Sequence, residues 1–183
     1  MDKTEAIAAA RSKLDEARYH LGKLREVEGS QYLEESKQRY DNHFPAFLAA
    51  ARSALQVLAS AEKEVTGTEQ TFWQWQDSIV NGWPAEESEL YKALKSARND
   101  AIHKGASGVG STIEYVPHSE LPRVPRHPFD GRVIKRRLPG IPEPKSGVRR
   151  FTVRIGDEDK AALESCVKYL ELVRRLVDGY AEK

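Results

Sequence analysis

The sequence predicts an all-α protein: a four- or five-helix bundle with a basic Pro/Gly-rich insertion, itself open to a small β-hairpin, before the last helix. Three observations lead there. Apolar residues recur at alternating steps of three and four through most of the chain. Seven of the nine prolines and six of the twelve glycines fall in residues 105–150, which excludes a long helix there. Charge divides along the same line: residues 104–155 hold eleven lysines and arginines against four acids, while the rest holds 18 against 24. The net charge of +1 hides this split, and such asymmetry points to a polyanionic partner for the basic part.

The first helix opens on Asp2 and Glu5, which have the spacing of a capping box. Its stripe is Ile7, Ala10, Leu14, Ala17, Leu21 and Leu24, and Gly29 is its expected stop. A second helical region spans about 30–64, with Tyr40, Phe44, Phe47, Leu48, Ala51, Leu55 and Leu58 as its buried face. Pro45 either kinks it or marks a new helix capped by Asn42 or His43, and a kink is the preferred reading. VTGTEQ (65–70) interrupts the pattern, with Thr66 or Thr68 as a cap. A short aromatic helix follows through Phe72, Trp73, Trp75 and Ile79, and NGWP (81–84) closes it. Pro84 suits the first turn of the next helix, about 84–104, which ends at Gly105. STIEYV (111–116), RRFTVRI (149–155) and RVIKRRL (132–138) have the β-branched and aromatic content of short strands. The last helix is expected from Asp157, as N-cap, to about Gly179. Its apolar face is Leu163, Val167, Leu170, Val173, Leu176 or Val177, and Tyr180.

The length suits one helical domain over 1–183, with 105–155 as an insertion within it. The single Cys166 cannot form an internal disulfide, and no Cys/His cluster suggests zinc. No metal and no cofactor are expected. The N-terminal stretch is charged from its second residue, unlike a secretory signal. No uninterrupted apolar run approaches the ~20 residues of a membrane span. A soluble cytoplasmic protein is the expectation.

The chemistry-bearing stretch is ARNDAIHKG (97–105). At ~100° per residue, Leu90, Leu94, Ala97 and Ala101 form the core stripe of its helix. Lys92, Ser96, Asn99 and His103 lie opposite, and Tyr91, Arg98 and Ile102 flank the core. Asn99 and His103 are helical neighbours. Arg98 and His103 stand about 140° apart around the axis. They meet only if the helix loosens near His103, if the arginine wraps the flank, or if a second subunit completes the site. Basic residues near a helix C-terminus also complement the dipole, so spacing alone leaves an ordinary helix end open.

RNDAIH (98–103), an arginine followed by a polar residue and then a histidine after four intervening positions, resembles the signature of the HEPN superfamily (higher eukaryote and prokaryote nucleotide-binding domains). FPAFLAAARSALQVL (44–58) is similar to the aromatic-and-alanine helix that precedes the motif in many bacterial members, and the approach LYKALKSARN (90–99) also fits. The resemblance covers roughly residues 1–105 and the final helix and leaves the insertion without a counterpart. It implies a HEPN-like bundle and metal-independent RNA cleavage by a homodimer, in a toxin or defence role with an antitoxin or other protein partner. Under it, His103 is the acid/base, Arg98 stabilises phosphate charge, and Asn99 orients the histidine or binds a phosphate oxygen. Some members have lost catalysis and serve as nucleotide-binding or interaction modules; a purely structural adaptor is a third reading.

Lys104, Arg132, Lys135, Arg136, Arg137, Arg149 and Arg150 are the candidate RNA-backbone contacts. Docking of the insertion onto acidic protein, or simple solvation, are its other readings. Tyr91 and Ile102 are candidates for either a dimer interface or packing within the chain. His20, His43, His118 and His127 read as structural. Trp73, Trp75 and Trp83 read as packing residues before base-stacking ones.

Overall fold

The computed structural model describes residues 1–28, 33–104, 109–117 and 145–183, with side chains described for these except at 33–34, 100–104, 109, 113–117 and 145–149. Five helices and three strands follow in the order α1 (Lys3–Val27), α2 (Leu33–Thr66), α3 (Gln70–Asn81), α4 (Ala85–Lys104), β1 (Val109–Pro117), β2 (Lys145–Ile155), β3 (Glu158–Ala161) and α5 (Ala162–Glu182). The Asp2–Glu5 capping box forms: Asp2 Oδ1 accepts from the Glu5 amide at 2.8 Å, and Glu5 Oε2 accepts from the Asp2 amide at 3.1 Å. Two of the orphan donors of the first turn are thereby satisfied. The buried stripe of α1 is Ala6, Ala10, Leu14, Ala17, Leu21, Leu24 and Val27. Its three alanines let α1 approach α2 closely. Glu28 ends α1 as its C-cap, and Gly29 lies outside the described residues.

α2 runs through Pro45 as one helix, so no new helix starts at Asn42 or His43. A proline inside a helix costs about 3 kcal/mol or more. Tyr40, Phe44, Phe47, Leu48, Ala51, Leu55 and Leu58 are all fully buried. At roughly 1.5–3 kcal/mol for each large apolar side chain buried, that face outweighs the proline. By length and composition Glu35–Thr66 would pass for a membrane-crossing helix, contrary to the expectation that no apolar run approaches a span. Inside this bundle 56% of its apolar window is buried, as in a core helix. Gly67, at φ +80°, turns the chain out of α2 in the left-handed region, its amide donating to the Lys63 carbonyl at 2.8 Å.

α3 is capped by Glu69, while Thr68 Oγ1 accepts from the Gln70 amide at 3.1 Å. It contains Phe72, Trp73, Trp75 and Ile79 as expected, buries Phe72, Gln76 and Val80, and leaves Ile79 exposed. Pro84 precedes α4 and its carbonyl accepts from the Glu87 and Ser88 amides, both at 3.0 Å. α4 buries Leu90, Tyr91, Leu94 and Ala97. Tyr91 lies 5.6 Å from Tyr169 and 5.7 Å from Trp83, ring to ring, so it packs within its own chain.

β1, β2 and β3 form an antiparallel sheet in that order, with Val109 opposite Val153 and Pro117 opposite Lys145. Two of the expected strands are therefore present, and RVIKRRL lies outside the described residues. The expectation that Asp157 caps the last helix is wrong. Ile155 pairs with Glu158, leaving Gly156 and Asp157 as a two-residue hairpin loop. Gly156 has φ +58°, the first-position glycine of a tight hairpin. The buried alternation Phe151, Val153, Ile155 ends with β2; β3 is exposed apart from the half-buried Lys160, and α5 starts only at Ala162. The sheet consequently reaches past residue 155, and its inner face belongs to the core. Phe151 stacks on Tyr40 of α2, with centroids 3.7 Å apart and planes 11° apart. This packing turns α5 so that Cys166, Tyr169 and Leu172 are buried, while Leu163, Val167 and Leu170 sit at the margin of the core.

Candidate functional site

α4 carries the motif, and its core stripe fixes where Arg98 goes. Leu94 and Ala97 are held in the interior, so Arg98, next to Ala97, lies half-buried on the flank. Asn99, one step further round, is exposed, and its Oδ1 accepts from Arg98 Nη1 at 3.2 Å. Lys95 is three residues before Arg98 and thus its helical neighbour. Arg52 approaches from α2, whose stripe of Leu48, Ala51 and Leu55 holds it at the edge of the core. Its guanidinium rests over the Trp73 ring of α3, 4.0 Å from the centroid. Tyr169 of α5, fully buried, forms the floor. Arg52, Lys95, Arg98, Asn99 and Tyr169 line a cavity of about 70 Å³.

Among the described residues the lining holds three cationic side chains and no carboxylate. Arg52 Nη1 and Arg98 Nε are buried without a hydrogen-bond partner. A buried donor left unmet costs about 1–3 kcal/mol, and more when charged. Burial pushes the Tyr91 phenol up to about 12, with Arg52 pulling it down; the two groups come close without reaching hydrogen-bond geometry. Burial likewise raises Tyr169, next Tyr91 raises it further, and both Arg52 and Arg98 oppose this. One phenol therefore feels both guanidinium charges, in keeping with the cavity that both arginines line. Three cationic side chains around one partly desolvated cavity favour an anion.

The remaining sequence-predicted residues distribute as follows. His103 and Lys104 lie in the last turn of α4, and their side chains fall outside the described ones. α4 stays helical through both positions, so the loosening near His103 does not occur. Ile102 and Ala101 are on the same helix with their side chains likewise outside. Arg149 and Arg150 are on β2, opposite Ile113 and Thr112. Arg150 is exposed, and its charge lowers the Glu28 carboxyl against the burial that raises it. Arg132, Lys135, Arg136, Arg137, Gly105, His118 and His127 lie outside the described residues. The three tryptophans pack against the core as partly buried side chains.

Two other places compete for attention. A cavity of about 530 Å³ between α4 and α5 is lined by Glu86, Glu87 and Glu171 and equally by Lys168, Arg174 and Arg175. Its charges answer one another: Arg175 Nη2 meets Glu87 Oε2 at 2.5 Å, and Lys168 lies 3.9 Å from Glu86. His20 and His43 face each other across α1 and α2, Nδ1 to Nδ1 at 3.2 Å. They are a pair, and among the described residues no group of three metal-ligating side chains forms. The pocket at Arg98 differs from both in gathering cationic side chains with no acid among the described lining residues. Sequence reading found Arg98 and Asn99 there and missed Arg52, Lys95 and Tyr169. A single arginine inside an aromatic-and-alanine helix was the available signal.

No family model matches this chain, and no curated protein or solved structure matches it significantly.

Proposed function

We propose that the protein is a metal-independent endoribonuclease of HEPN type. The observation that carries the reading is the half-buried Arg98, lining a cationic pocket that holds no acid among the described residues. A polyanion is what such a pocket accepts, and RNA supplies its own nucleophile. In the proposed reaction the ribose 2′-oxygen attacks the adjacent phosphorus. The new O–P bond forms as the P–O5′ bond breaks, giving a 2′,3′-cyclic phosphate and a 5′-hydroxyl. Arg98 donates to the non-bridging oxygens as charge develops on them. His103 takes the 2′-hydroxyl proton or gives one to the leaving O5′, a role suited to a side chain that titrates near neutrality. Asn99 holds Arg98 through its 3.2 Å hydrogen bond. Lys104, Arg149 and Arg150, with the basic residues of the insertion, engage the rest of the RNA backbone.

The ~140° between positions 98 and 103 on a regular helix is accommodated by two motifs sharing one cleft, so the proposed enzyme is a homodimer. A toxin or defence role in the cytoplasm, with an antitoxin as protein partner, belongs to the same proposal. A second reading, a non-catalytic RNA- or nucleotide-binding module, is favoured by the Arg98–Asn99 bond: an arginine already tied within its own helix serves binding as well as catalysis.

The test is RNA cleavage in EDTA by the wild type, Arg98→Ala and His103→Ala, with the fold of each variant verified by circular dichroism. Cleavage that leaves cyclic phosphate ends and disappears in both variants is expected. RNA binding without cleavage across several RNA classes would favour the module, and cleavage surviving both changes would refute the assignment.

A further inference from the structure

We propose that Arg52, Lys95 and Arg98 form one binding site for a doubly charged phosphate group, with Arg52 of α2 closing it opposite the motif helix. Three features carry this. The first is charge: three cations, with no carboxylate among the described lining residues, are matched better by a dianion than by a monoanion. The second is size. A cavity of about 70 Å³ has room for one small tetrahedral anion. The third is order. Arg52 is held by its stack on Trp73. Its guanidinium is thereby already in place at the cavity before an anion arrives, so little ordering cost falls on binding.

As far as it concerns RNA, the inference rests on the ribonuclease reading. There the ground-state diester carries one negative charge and the phosphorane carries two. A three-cation site thus binds the transition state more tightly than the substrate, and Arg52 acts on kcat more than on KM. The basic residue needed for this is supplied by α2, outside the motif.

The experiment is calorimetric titration at about pH 8 and constant ionic strength. Inorganic phosphate, doubly charged there, is compared with dimethyl phosphate, a singly charged diester. Wild type, Arg52→Gln and Lys95→Met are used, with folding verified for each. Phosphate is expected to bind at least about tenfold more tightly than the diester. Arg52→Gln is expected to weaken phosphate binding about 10- to 100-fold, the worth of one charge-assisted hydrogen bond, and Lys95→Met to weaken it less. Arg52→Lys, which keeps the charge and loses the fork, is the reserve variant should Arg52→Gln not fold, and partial retention is expected of it. Absence of saturable phosphate binding, equal binding of the two anions, or binding indifferent to Arg52 would overturn the proposal. Arg52-dependent phosphate binding without RNA cleavage would leave this site standing and remove the ribonuclease reading. Arg98-dependent cleavage with unchanged kcat in Arg52→Gln would do the reverse.

Discussion

Phe151→Ala should destabilise the whole protein, because the sheet that carries Phe151 is part of the helical core. The ring is 2% exposed and stacks on Tyr40 at 3.7 Å. A buried aromatic covers roughly 150–250 Å², and losing about 150 Å² at ~25 cal/mol per Å² amounts to about 4 kcal/mol. Mutational costs for buried Phe→Ala fall in the same range, about 3–5 kcal/mol. About 0.5–1.5 kcal/mol of this belongs to the ring pair and would appear as coupling in a cycle with Tyr40→Leu. In urea, with a slope of about 2 kcal/mol per M, the midpoint should fall by about 2 M. The control is Arg154→Ala on the same strand. Its ion pair with Asp159, 3.5 Å long, has both partners exposed, so the change should cost under about 1 kcal/mol. Tryptophan fluorescence and circular dichroism should report one coincident transition in both variants. A loss under about 1 kcal/mol for Phe151→Ala, or a separate early transition, would show that the sheet is an appendage and refute the packing argument.

Stability should also fall as pH drops below 6.5. His43 is held below the ordinary histidine value of 6.5, first by burial, then by His20, with Arg39 and Lys23 adding and Glu26 opposing. Its contribution is complete above 6.5 and is lost as pH falls from there through the lower folded pKa, since the unfolded chain takes up the proton first. His43→Gln should flatten the urea midpoint between pH 7 and 5.5, and an unchanged slope would contradict the assignment. Cys166 is fully buried and its thiol is pushed up by burial, next by Glu28, so a thiol reagent should modify it only as fast as the protein opens. Labelling should accelerate in Phe151→Ala; rapid labelling of the native wild type would contradict the burial.

The sequence made α1 legible because capping box and stripe agreed, and it made α2 and α4 legible through their apolar spacing. It misled at Asp157, where an acidic residue ahead of a helix-like run also fits the second position of a Gly-Asp hairpin, and only the pairing of Ile155 with Glu158 decides between them. On α5 it identified Val173, Leu176, Val177 and Tyr180 and missed Cys166, Tyr169 and Leu172, because a sheet, invisible to the helix's own periodicity, packs on that helix. At the site, Arg98 and Asn99 were recognisable from local order. Arg52 was not: it stands 46 positions earlier, in a helix whose neighbours read as core, and only the packing of α2 against α4 brings it to Arg98. The His20–His43 contact was hidden for the same reason, each residue being unremarkable on its own helix.

The most direct test of the central claim is cleavage, in EDTA, of an RNA carrying a single 2′-deoxy nucleotide at the mapped cut site. The account makes the 2′-oxygen the nucleophile, with Arg98 and His103 acting on the phosphate and the protons. It predicts that cutting at that linkage stops while other sites are still cut. Cutting of the deoxy linkage at an unchanged rate would contradict the mechanism.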